Sequence, residues 1–114
     1  MTATQPKPYT AEEYFALEVE SPIRSEYRNG EIVPMTGGTP DHNQIISPLN
    51  ALLWFGLRGK PYHLFITDQR LWIPAQNLYT YPDAMVIPSP IKLQPGRKDT
   101  VTNPILIAEV FSAD

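Results

Sequence analysis

Cysteine is absent from the chain, which removes at once a disulfide frame, a thiolate nucleophile and a thiolate zinc site. The same absence fits a reducing compartment, with the cytoplasm as the default. No apolar stretch approaches the roughly 20 residues needed to cross a bilayer. Met1 to Pro8 has neither the basic start nor the apolar middle of a secretory signal. A membrane role has no support. Basic residues are few: 9 Lys and Arg stand against 12 Asp and Glu, for a net charge of −3 and a pI near 5.3. That balance argues against holding nucleic acid by charge alone, although a bound metal can supply positive charge that the sequence total hides. The short basic clusters are Arg58 with Lys60 and Arg97 with Lys98. Either could touch a phosphate, or simply mark a helix end and a solvated loop. A Gly-rich phosphate loop followed by Lys-Ser/Thr is missing, as is a nucleophile elbow.

What is present is enough for one core. The 114 residues are 42% hydrophobic and 11% aromatic, which predicts a single soluble domain over residues 1–114. The 13 prolines are scattered from Pro6 to Pro104 without a repeat and read as punctuation between short elements.

Thr10-Ala11-Glu12-Glu13 has the form of a capping box, and Ala11, Tyr14, Phe15 and Val19 recur behind it at helical spacing until Ser21-Pro22. Asn29-Gly30, set between Ser25–Arg28 and Glu31–Met35, predicts a β-hairpin. Thr39-Pro40-Asp41 predicts the start of a second helix, with Ile45, Ile46, Leu49, Leu52, Leu53 and Leu57 as its buried face and Arg58-Gly59 as its stop. Pro48 predicts a kink or break near Ser47. Strand-like runs follow at Tyr62 to Thr67, Arg70 to Ile73 and Tyr81 to Ile87, with a meander as the simplest arrangement. Pro88 to Lys98 reads as a mobile, charged loop. Ile105 to Phe111 has the near-continuous apolar pattern of a strand covered on both faces.

Two acids interrupt these apolar runs: Asp83 in Tyr-Pro-Asp and Glu109 in Ile-Leu-Ile-Ala-Glu-Val-Phe. A bare carboxylate in such a place is unfavourable unless a cation pairs with it. If the strands are adjacent, the two acids can share Mg²⁺ or Mn²⁺ with the main-chain oxygen that follows the second, and so support metal-assisted hydrolysis. Spacing alone also admits a turn acid at Asp83 and a helix-borne Arg partner for Glu109.

Tyr-Pro-Asp-Ala at 81 to 84 and Ala-Glu-Val-Phe-Ser at 108 to 112 follow three further motifs. These are Glu-Tyr-Arg-Asn-Gly-Glu at 26 to 31, Gly-Gly-Thr-Pro-Asp-His-Asn at 37 to 43 and Thr-Asp-Gln-Arg at 67 to 70. Together they resemble the Uma2-like, restriction-endonuclease-like family of uncharacterised proteins in the PD-(D/E)XK nuclease superfamily. The resemblance runs from about Tyr9 to the end. It implies an α+β fold with a mixed sheet: an N-terminal helix and hairpin added to a partial αβββαβ core, without the last helix and strand. It implies an endonuclease that hydrolyses phosphodiester bonds in DNA with Mg²⁺ or Mn²⁺. Asp83 and Glu109 would hold the metal, and the Val110 carbonyl would be a further ligand. In the short superfamily motif a lysine falls at position 111, which here is Phe111, and the chain stops at Asp114 before the helix that carries a lysine in the family. The expectation is therefore an inactive or weak, C-terminally incomplete domain.

His42 matches a recurrent family position that would line the site with Asn43, as a ligand or base, although a histidine there can also just satisfy a helix cap. Glu26 and Glu31 read as solvated strand acids, with lining of the site as the alternative. Asp68 reads as a turn acid, His63 as structural, and Trp54, Phe55, Trp72 and Tyr79 to Tyr81 as core rather than base-stacking surface. A different reading makes the chain a non-enzymatic interaction protein, a homodimer in which self-association protects the apolar strand at Ile105 to Phe111.

Overall fold

A computed structural model describes residues 8–111. Met1 to Lys7, read for a signal, lie outside the described residues, as do Ser112 of the Ala-Glu-Val-Phe-Ser stretch and Asp114.

The capping box forms as expected: Thr10 Oγ1 accepts from the Glu13 amide at 3.2 Å and Glu13 Oε1 accepts from the Thr10 amide at 2.8 Å, which starts α1 (Ala11–Glu20). Of its expected stripe, Tyr14 is fully buried and Phe15 packs beside it, but Val19 is exposed. The hairpin is also present, β1 (Ser25–Arg28) against β2 (Glu31–Pro34). Asn29 and Gly30 take φ of 48° and 97°, the left-handed geometry that lets a two-residue turn follow the strand twist. A Cβ on Gly30 would fall 2.9 Å from Pro8 Cβ in a backbone region that side chains rarely adopt. Gly30→Ala is thus expected to destabilise the domain by about 2 kcal/mol, read as a lower urea midpoint with an unchanged slope.

Thr39 caps α2 (Pro40–Leu57) by accepting from the His42 amide at 3.2 Å. The helix runs through Pro48 without a break. Pro48 and Gln44 both lie on the exposed side, where water can meet the Gln44 carbonyl that lost its donor. Only Ile46 of the expected face is buried, with Leu49, Leu53 and Leu57 half-buried. Ile45 and Leu52 are exposed, and so are Trp54 and Phe55, which corrects the expectation that these two aromatics belong to the core. The reason is dimensional. An 18-residue helix is about 27 Å long, whereas the three-stranded sheet beneath it is about 10 Å wide and covers one narrow stripe.

After α2 the chain forms β3 (Tyr62–Ile66), β4 (Arg70–Ile73), β5 (Leu78–Thr80), β6 (Ala84–Pro88), β7 (Thr100–Val101) and β8 (Leu106–Ala108). These do not make a meander. One sheet has the order β2-β1-β5-β4-β7, with β4 and β7 parallel; the other has the order β3-β6-β8, all antiparallel. The expected Tyr81–Ile87 strand is split by Pro82, which has no N–H for a ladder, and the chain changes sheets there, between Thr80 and Ala84. Leu71 and Val101 of the first sheet pack against Met85 and Ile87 of the second. Tyr14, Tyr27 and Tyr79 hold α1 to the first sheet. The architecture is α+β with mixed sheets.

Two loop and strand expectations change. The segment from Pro88 to Lys98 is pinned rather than free: the Gln94 amide donates to the Thr100 carbonyl at 2.9 Å, the Lys92 amide to Asn103 Oδ1 at 2.9 Å and Gln94 Nε2 to Tyr79 Oη at 2.8 Å. Arg97 lies 3.6 Å over the Phe15 ring and pairs with Asp99 at 3.0 Å, so its charge is used internally. β8 is not covered on both faces: it is a sheet edge, and Ile105, Leu106 and Ile107 are all exposed.

Candidate functional site

The register of β6 against β8 places the two acids. Ala84 faces Ala108, Met85 faces Ile107 and Val86 faces Leu106, so the next step in the same register sets Asp83 opposite Glu109. Directly opposed residues of an antiparallel pair project to the same face, so the Asp83 charge comes near enough to raise the Glu109 carboxyl. Asp83 Oδ2 accepts from the Val110 amide at 2.8 Å. It is therefore the Val110 N–H, rather than its carbonyl, that meets Asp83.

α2 brings the third group. His42 sits in the first turn, and its Nε2 is 3.1 Å from Asp83 Oδ2. An ionised carboxylate only accepts, so the imidazole holds its proton on Nε2 and donates. The ring fits because Gly38 has no side chain: a Cβ there would lie 2.7 Å from His42 Nδ1. His42 Nδ1 is buried and has no hydrogen-bond partner among the described residues. Asn43, one position on, is exposed.

The first sheet contributes an acid that the sequence left as a minor reading. Glu26 on β1 is half-buried, accepts from the Thr80 hydroxyl and is held by Arg28 Nε at 2.9 Å. The alternation of β1 was the available signal: Ser25 and Tyr27 face the core, which turns Glu26 to the side where Thr80 leads into Pro82-Asp83. Other residues fall away from this group. Asp68 pairs with Arg24 in the exposed turn after β3, in line with the turn reading, and His63 Nε2 meets Ser89 Oγ at 2.8 Å. Glu31 is exposed.

A support missed in the sequence lies behind Tyr81. Arg70 is buried, with Nε donating to Tyr81 Oη at 3.1 Å, Nη1 to Asp99 Oδ2 at 3.2 Å, and Nη2 4.0 Å from Glu18 Oε2. Glu18 in turn accepts from Tyr81 Oη at 2.7 Å and from the Ser25 amide at 3.0 Å. Burial pushes the Tyr81 phenol up, and the neighbouring Glu18 carboxylate adds to the shift. α1 and both strands are thus tied to the residue two before Asp83. A charged pair so deep in the core leaves no trace in hydrophobic periodicity.

Burial, the Asp83 charge, the hydrogen bond with Asp83 and then Glu26 raise the Glu109 carboxyl to about 7. Between its ordinary value of 4.5 and about 7 the folded chain keeps a proton that the unfolded chain has lost, so this group's contribution to stability is lost as pH rises through that window. Glu109 is nevertheless exposed to solvent, and screening holds the effect to about 1 kcal/mol. Melting curves from pH 4.5 to 8 should show the wild type losing a few degrees more than Glu109→Gln. Parallel curves would contradict the carboxylate coupling.

An excess of negative charge on hard oxygen donors is a fit to Mg²⁺ or Mn²⁺. Among the described residues no three His, Asp or Glu side chains gather as a ready-made cage. Two carboxylates are nevertheless what Mg²⁺ commonly takes while keeping several waters.

The family model described as "Putative restriction endonuclease" (Uma2) matches residues 11–114. The chain belongs to this family. The chain is similar to the uncharacterized protein sll1609 of Synechocystis sp., 39% identical over 98% of this chain and 63% of that protein. A second, slr1290 of the same organism, is 33% identical over 89% of this chain and 52% of that protein. This chain thus spans a little over half the length of the curated relatives it matches. The crystal structure of a "putative nuclease belonging to DUF820" from Anabaena variabilis superposes with a TM-score of 0.72 at 22% identity, over 92% of this chain and 59% of that one, which shows a shared fold. Among the described residues no helix is long and apolar enough to cross a membrane.

Proposed function

We propose that this Uma2 domain carries the metal-binding part of a cytoplasmic endonuclease that hydrolyses phosphodiester bonds in DNA, with Asp83 and Glu109 as the metal-holding pair. The observation that carries the reading is their opposition one step beyond the β6–β8 pairing, where burial and the Asp83 charge raise the Glu109 carboxyl. The Val110 carbonyl is the further ligand of this proposal. Mg²⁺ or Mn²⁺, when bound, lowers the pKa of a coordinated water and offsets charge on the phosphate. The residues of the chain set the conditions for that chemistry. Glu109 must lose its proton to bind a cation, so affinity rises with pH through about 7. His42, the third catalytic candidate, holds Asp83 Oδ2 through its Nε2 proton, and the Val110 amide fixes the same oxygen from the other side.

The short superfamily motif carries a lysine two positions after the glutamate, where this chain has Phe111, 90% exposed. A cation near the attacking water stabilises developing charge, and this stretch offers none. The chain alone is therefore inactive or weak. Calorimetry of the 114-residue chain with Mg²⁺ and Mn²⁺ is expected to show one site, accompanied at most by slow plasmid nicking that a chelator abolishes. No heat with either ion at millimolar concentration would end the metal reading.

A second reading has its own observation. β8 is a free, apolar sheet edge, and such edges pair with other chains. Under that reading the domain is a homodimer without enzymatic activity, joined along β8. Light scattering decides it, since a monodisperse monomer counts against the dimer.

A further inference from the structure

Away from the carboxylates, the last turn of α2 and the start of β3 form an open surface pocket of about 340 Å³ lined by Trp54, Arg58, Lys60, Tyr62, His63 and Phe65 among others. The register runs from Ile66 opposite Ala84 to Tyr62 opposite Pro88, which sets this pocket roughly 13 Å along the strands from the Asp83 end. Its lining is unlike the rest of this acidic chain: it includes two cations and no carboxylate. Neither Arg58 nor Lys60 forms an ion pair among the described residues. Lys60 Nζ donates to the Gly56 carbonyl at 3.1 Å, an ordinary use of a lysine at a helix end. That role does not explain Arg58, whose guanidinium lies 5.7 Å from the Trp54 ring centre and 5.4 Å from that of Phe55. An aromatic face holds the guanidinium plane while its N–H edge stays free to donate. Trp54, left 59% exposed where α2 outruns the sheet, stands at the mouth of this pocket. A purely apolar partner would have no use for the two cations, whereas a nucleotide needs this combination, a π-face for its base and a fork of donors for its phosphate.

We propose that this pocket holds one nucleotide of a DNA single strand, with the base on Trp54 and the phosphate between Arg58 and Lys60. The choice of DNA rests on the nuclease reading. The binding itself needs no metal and gives an acidic domain a foothold on a strand at a distance from its carboxylate pair.

The test is a titration of the 114-residue chain with a thymine pentanucleotide in chelator, followed by tryptophan fluorescence and by anisotropy of a labelled strand. Saturable quenching is expected, with a log–log salt slope of about −0.7, since one phosphate of a single strand is neutralised. Arg58→Ala and Lys60→Ala should each weaken binding about tenfold and flatten the salt slope. Arg58→Lys should retain most of it. Trp54→Phe should abolish the quenching, because Trp72 is stacked on Tyr79 inside the fold. All three side chains are exposed, so unchanged circular dichroism checks that the variants fold. Asp83→Ala should bind the strand as the wild type does. Strand binding lost with metal binding intact refutes the foothold alone; the converse refutes the metal centre alone. The proposal is overturned by absence of saturable quenching in the wild type, by an affinity indifferent to removal of either charge, or by thymidine monophosphate binding as tightly as the pentanucleotide.

Discussion

Asp83→Ala is expected to abolish the Mg²⁺ or Mn²⁺ heat seen with the wild type, and Glu109→Ala to do the same. Each variant leaves one carboxylate where the ion needs two, and Mg²⁺ gives up its hydration water reluctantly for a single ligand. The two should differ in the metal-free state. Asp83→Ala removes the nearest charge that raises Glu109, and also strands the Val110 amide and His42 Nε2 that Asp83 Oδ2 now serves, so it should lower stability by about 1–3 kcal/mol. Glu109→Ala relieves a repulsion and should be close to neutral near pH 8. A wild-type melt that rises with Mg²⁺ while both variants stay flat would complete the pattern. Full metal binding in both variants would remove the proposed centre.

Arg70→Met is expected to be the most damaging change to the fold. The methionine can fill the space between the Tyr14, Phe15 and Tyr81 rings, but it leaves Glu18, 6% exposed, without its cation. Removing one member of a buried charged pair costs about 3–5 kcal/mol, because the other charge stays behind. For a domain of this size that is a fall in Tm of at least roughly 12 °C. Glu18→Gln in the same chain should recover part of it, since the amide keeps hydrogen-bonding capacity without the charge. An unchanged Tm in Arg70→Met would mean that the cluster is not a support. Because Tyr81 precedes Pro82-Asp83, Arg70→Met should also weaken the metal heat in whatever fraction remains folded.

The local elements were legible because they are decided within a few residues. Thr10 and Glu13 meet across three positions, Thr39 meets the His42 amide across three, and Asn29-Gly30 needs only its own backbone freedom. The two acids could be singled out for a related reason: a charge inside an apolar run stands out without knowledge of its surroundings. The partition of strands into two sheets was not legible, since β3 joins β6 rather than β4, and that choice turns on Pro82 and on packing between residues far apart in the chain. The same holds for Trp54 and Phe55, apolar enough for a core but carried on a helix longer than the sheet beneath it.

By itself, then, the order of residues determined the helix starts, the hairpin, and Asp83 and Glu109 as the carboxylates to watch, because caps, turns and isolated charges act over short range. Only the tertiary structure decided that these two acids face each other, that His42 meets Asp83, and that Arg70 and the Glu18 side chain lie buried behind Tyr81. Those outcomes depend on strand register and on which faces are covered, and both are settled by packing across the whole domain.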